Sequence, residues 1–105
     1  MGNKYKISVR PVAVHQLAGH IEFLARKSVK AANGIVNDFE KLEISLSTNP
    51  TSFPVFYKNY RKAIIKPRYA ILFEIEDCNI FVDKILDMRQ LEYNEIINEI
   101  SDGGV

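Results

Sequence analysis

Tryptophan is absent from this 105-residue chain, and cysteine occurs once, at Cys78. A lone cysteine closes no internal disulfide and excludes a thiol cage for a metal. Such cysteine usage suits a reducing, cytoplasmic setting. No apolar run approaches the ~20 residues of a membrane span, so no membrane partner is expected. The opening MGNKYKISVR lacks the hydrophobic segment of a signal peptide. A glycine-rich phosphate loop, a Ser-His-Asp signature and a Cys/His cluster are all missing, so neither cofactor nor metal is predicted. Low-complexity and repeated segments are missing too, and the length suits one domain spanning 1–105.

Acidic residues are missing from one region in particular. Between positions 52 and 68 stand Lys58, Arg61, Lys62, Lys66 and Arg68 with no acid among them. Residues 1–30 carry six Lys/Arg against Glu22 alone, whereas 74–105 hold nine acids against Lys84 and Arg89. A net charge of +1 therefore hides a dipolar distribution. A basic patch of this kind fits nucleic acid or an acidic partner. It fits equally a solvated edge strand that lysines protect from pairing.

What is present is organised around YRKAIIKPRYAILFEIEDCNIFVDKILDMR. Three runs rich in Ile, Val, Phe and Tyr (60–65, 69–75 and 80–86) are separated by Lys66-Pro67-Arg68 and Glu76-Asp77-Cys78-Asn79, which predicts three strands. Connections this short join antiparallel neighbours. Upstream, Tyr5, Ile7 and Val9 alternate with polar residues in a strand over 4–10, ended by Pro11. Val14, Leu17, Ile21 and Leu24, with Ala18 and Ala25, predict a helix over 12–26. Ser28 is a good N-cap for a second helix. Its stripe of Ala32, Ile35, Val36, Phe39, Leu42 and Leu46 runs to Ser47, with Gly34 read as a place for close helix–sheet packing. The two helices have almost no linker, so they form a hairpin. Positions 48–58 read as an irregular loop pinned by Phe53, Val55, Phe56 and Tyr57. Leu91, Ile96, Ile97 and Ile100 suggest a final helix, with a frayed end at Asp102-Gly103-Gly104. The predicted fold class is α+β, β-α-α-β-β-β(-α), an antiparallel sheet covered by an N-terminal helical hairpin. Its core is 4–90, and 91–105 form a C-terminal helix and tail.

His15 and His20 lie about 500° apart around the first helix, on different faces, and read as surface histidines. Cys78 has no base beside it in sequence, and the carboxylates Glu74, Glu76 and Asp77 read as a solvated hairpin tip. Strand alternation puts Arg61, Ala63 and Ile65 on one face and Tyr60, Lys62 and Ile64 on the other. With Arg68 and Arg89, several cations are expected to converge on one sheet edge. Metal-free RNA cleavage needs such donors together with a base. The candidate bases are Tyr93, Glu92 and Tyr57.

The ordered set of these pieces resembles the RelE/ParE superfamily of toxins. In KYKISVRPVAVHQLAGHIEFLARKSVKAANGIVNDFEKLEISLSTNP, Ser28, Ala31, Ala32, Leu46 and Pro50 match the family's "S-x-x-A-A" helix start and "L-x-x-x-P" ending. In YRKAIIKPRYAILFEIEDCNIFVDKILDMRQ, Tyr60 and Arg61 open the run, Tyr69 to Ile75 match its middle strand, and Arg89 its terminal arginine. The resemblance implies the toxin of a type II toxin–antitoxin module, neutralised by a cognate antitoxin. ParE-like members act on DNA gyrase, and RelE-like members cut mRNA on the ribosome. Asp87 stands where a histidine often precedes the terminal Gly-Arg, Met88 replaces the glycine, and Ala70 replaces a RelE-type arginine. These departures favour a ParE-like gyrase inhibitor. Lys58, Arg61, Lys62, Lys66, Arg68 and Arg89 would then contact target or antitoxin. Under the endoribonuclease alternative, Arg61, Arg68, Arg89 and Tyr93 would be catalytic. A member that has lost toxicity and serves as a binding or regulatory protein is the third alternative.

Overall fold

Strand β1 (Lys6–Val9) turns Ile7 and Val9 toward the core and gives way at Arg10 to helix α1 (Pro11–Lys27). The computed structural model describes residues 4–103, those from 101 onward by their backbone alone. Proline suits the first helical position, where its fixed φ is already correct and its missing N–H would have had no helical partner. Ser28 serves both helices. Its N–H donates to Leu24 O at 2.8 Å to close α1, and its Oγ accepts from Ala31 N at 3.2 Å to open α2 (Val29–Thr48). One extended residue between two helices leaves room only for a reversal, and the predicted hairpin results.

The inward stripe of α1 is Ala13, Leu17, Ile21 and Leu24. Ala13 is fully buried, while Val14 is 52% exposed and Ala18 and Ala25 face outward. The predicted stripe was thus centred one position too far along the helix. On α2 the expected Ala32, Ile35, Phe39 and Leu46 are buried. A Cβ added at Gly34 would meet nothing within 4 Å, so this glycine does not serve close packing against the sheet.

Positions 48–58 hold more structure than expected: a turn of 3₁₀ helix at Pro50–Ser52 and a further strand, β2 (Val55–Tyr57). Pro54 and the brevity of the strand conceal it, yet both are tolerated at a sheet edge, where pairing on one side suffices. Strands β3 (Tyr60–Ile65), β4 (Tyr69–Glu76) and β5 (Asn79–Asp87) form the predicted meander, in the order β1-β5-β4-β3-β2.

This sheet is mixed, which corrects the antiparallel expectation. β1 runs parallel to β5, with Lys6 opposite Asn79 and Val9 opposite Val82. The hairpin explains it. Ser47 O accepts from Lys4 N at 3.1 Å and Tyr5 N at 3.0 Å, so α2 ends beside the beginning of β1. The chain crosses from there into β2, which runs opposite to β1, and the three reversals through β3 and β4 to β5 bring β5 parallel to β1.

Two cores result. Ile35, Phe39 and Leu46 pack on Ile71, Phe73, Val82 and Ile85 beneath the hairpin. On the opposite face Ala70, Leu72 and Leu86 meet Tyr93 of helix α3 (Leu91–Gly103), with Ile96 and Ile97 alongside. Leu91, expected in this stripe, is 71% exposed, and Tyr93 takes the inward position. Helix α3 continues to Gly103, where a frayed end was expected. The last two residues of the tail, like the first three of the N-terminal segment, lie outside the described residues.

Candidate functional site

β1 stops opposite Val82, but β5 continues to Asp87, so the last five of its nine residues lack a strand partner on that edge. Helix α1 supplies one from its side chains. Gln16 Oε1 accepts from Ile85 N at 2.8 Å, and His20 Nε2, one helical turn on, donates to Ile85 O at 2.8 Å. A buried backbone group left unpaired costs roughly 1–3 kcal/mol, so this pair substitutes for a missing stretch of ladder. The His20 ring also lies 5.0 Å from that of buried Tyr69. The sequence reading of His20 as a plain surface residue is therefore corrected.

Just beyond, the chain turns through Asp87, Met88 and Arg89. Asp87 accepts from Arg89 three times: from its backbone N at 2.8 Å, Nε at 3.1 Å and Nη2 at 2.8 Å. Burial of Asp87 works against its charged form. The hydrogen bonds from Arg89, with the positive charges of Arg89 and Arg68, outweigh that effect and hold its carboxyl below the ordinary range. Burial pushes the Tyr69 phenol upward, and the nearby arginines only partly oppose it. Between α1 and this turn opens a cleft of about 530 Å³, with His15, Gly19, His20 and Phe23 on one side and Tyr69 and Arg89 among the residues facing them. His15 and His20 thus border one cavity, not two separate faces.

The expected convergence of cations does not occur. Arg68 and Arg89 lie at the Asp87 end of the sheet. Arg61 pairs with Phe73, four positions along β4 from Tyr69, roughly 13 Å at the rise of a strand. There its Nη1 donates to Phe53 O at 2.6 Å and Thr51 O at 3.4 Å, fastening the 3₁₀ segment to the sheet. Lys62 points to the other face, where Nζ donates to Tyr93 Oη at 3.0 Å and sits 4.0 Å from the Phe56 ring centre. Lys66 borders a separate hollow with Asp38 and Lys41.

Each candidate base already has a partner. Tyr93 takes its hydrogen bond from Lys62, Glu92 pairs with Lys84 at 3.0 Å, and Tyr57 donates to Glu99. Lys58 Nζ is 3.9 Å from Glu99 as well. The acidic C-terminal segment therefore folds back on basic residues of the sheet, and the two charges do not segregate fully as the sequence suggested. Exposed pairs of this kind contribute up to ~1 kcal/mol each, whereas burying one large apolar side chain contributes about 1.5–3 kcal/mol. Tyr93, Ile96 and Ile97 hold α3 in place, and the ion pairs set its orientation. Among the described residues no three His, Cys, Asp or Glu side chains come together as a metal site, and no helix is long and apolar enough to cross a membrane.

These features define an α+β domain with a helical hairpin on one face of a mixed five-stranded sheet and a terminal helix on the other. No family model matches the sequence, and no curated protein matches it. Among solved structures, a chain of the chromosomal ParDE TA system from P. aeruginosa is similar with a TM-score of 0.64. The match covers 82% of this chain and 98% of that one, at 14% identity. The fold is the RelE/ParE-like fold that the sequence patterns suggested.

Proposed function

We propose that this chain is the toxin of a type II toxin–antitoxin module, of the ParE kind. It acts in the cytoplasm by binding bacterial DNA gyrase and is neutralised by a small cognate antitoxin. The observation that carries this reading is the fold match over 98% of the ParDE chain. Action by protein contact, without catalysis, is supported by the separation of Arg61 from Arg68 and Arg89 and by the occupied state of each candidate base. The basic residues Lys58, Arg61, Lys62, Lys66, Arg68 and Arg89 are the contacts for target or antitoxin, spread over separate parts of the surface, and Arg61 and Lys62 also hold neighbouring segments in place.

A ribosome-dependent endoribonuclease draws on one observation, the Lys62–Tyr93 hydrogen bond, which places an ammonium against a phenol. Tyr93 is only 8% exposed, on the face of α3 that packs against the sheet, and lifting the helix would carry it away from Lys62, which counts against this pair as an active site. Brief induction in a bacterial host without antitoxin, with separate pulse-labelling of DNA and protein synthesis, decides between them. The gyrase reading expects DNA synthesis to fail first, with a DNA-damage response, and growth to recover on co-expression of the adjacent antitoxin frame. Early arrest of protein synthesis with mRNA cut within codons overturns it, and loss of that cleavage in Arg89→Ala assigns the chain to the enzymes. No effect on either synthesis leaves the non-toxic binding protein as the reading.

A further inference from the structure

Of the residues lining the cleft beside Arg89, the readings above use Arg89 alone. Three of its features are unusual together. Arg89 is held by a buried carboxylate through Nε and Nη2, yet its side chain stays 60% exposed, and Nη1 enters no hydrogen bond among the described residues. A guanidinium fixed on one edge and free on the other is a pre-oriented receptor for a phosphate or carboxylate. Across from it, Gly19 leaves the wall of α1 bare, and a Cβ there would meet nothing within 4 Å. His15 and Phe23 flank that gap one turn to either side, and the His20 ring packed on Tyr69 adds a further aromatic surface.

An anion alone needs only the arginine. The aromatic surroundings select in addition a flat ring, and a cleft of about 530 Å³ lies within the roughly 300–1,000 Å³ that small organic ligands occupy. We propose that this cleft binds a mononucleotide, its phosphate on Arg89 and His15 and its base against Phe23 and His20.

Calorimetric titration of the full chain with each of the four ribonucleoside 5′-monophosphates tests this, with inorganic phosphate and the free nucleosides as separate arms. Saturable binding of at least one nucleotide is expected, with phosphate or nucleoside alone weaker by roughly tenfold or more. Arg89→Gln should abolish the phosphate's contribution. Because that change also disturbs Asp87, Gly19→Leu serves as the second variant: it fills the gap from an exposed helical position without removing a contact, and should weaken binding at least tenfold. Lys41→Gln, outside the cleft, should leave binding unchanged. No binding at millimolar nucleotide overturns the proposal, as does affinity unaltered by Gly19→Leu. Phosphate that binds as tightly as nucleotide overturns it too, reducing the cleft to a bare anion site.

Discussion

Asp87 stays ionised against the cost of its own burial because Arg89 surrounds it. Its folded pKa is depressed, so it stabilises the fold fully above the unfolded value of about 3.9. That contribution is lost as pH falls through the lower folded value. Asp87→Asn should therefore lower Tm at neutral pH, and its deficit against the parent should shrink as the pH drops below about 4. Thermal unfolding followed from neutral to acid pH measures this, and a deficit constant with pH would show that shape and not charge is what Asp87 supplies. The aspartate was legible in the sequence only as a departure from a motif. The roles of Gln16 and His20 were not legible at all, because they depend on β1 ending five residues before β5 does. Their spacing, one helical turn apart, was the single local signal.

The elements themselves were read well where one period dominates. The hairpin follows from apolar spacing and the cap at Ser28, and the meander follows from turn residues between strongly β-forming runs. β2 escaped because a three-residue strand after a proline has no period to detect. The direction of β1 depends on where α2 delivers the chain, which is a property of helix length against sheet width. In α2, Gly34 was credited with a packing role that open space around it rules out. Gly34→Ala should accordingly stabilise the protein by about 1 kcal/mol, raising Tm by several degrees. A fall in Tm would mean that the hairpin bends at this position.

For the whole molecule, the hairpin, the sheet and α3 form three layers, and the sequence reading foresaw only two with any clarity. The candidate site was least legible at this scale: alternation assigned Arg61 and Lys62 to opposite faces correctly, but the strand register, which separates Arg61 from Arg68 and Arg89, became visible only once the sheet was assembled. The bond between Ile85 N and Gln16 has one more implication, for motion. The amides that β5 gives to β4 are sealed by a neighbouring strand and exchange with solvent only when the sheet opens. Ile85 is sealed by a helix side chain, so its hydrogen–deuterium exchange should run faster than that of amides β5 gives to β4, at the rate at which α1 lifts away. Any partner that clamps α1 should slow Ile85 selectively, making one backbone proton a clock for the docking of the whole hairpin. Equal rates at Ile85 and across the β4–β5 ladder would mean that α1 and the sheet open as a single unit.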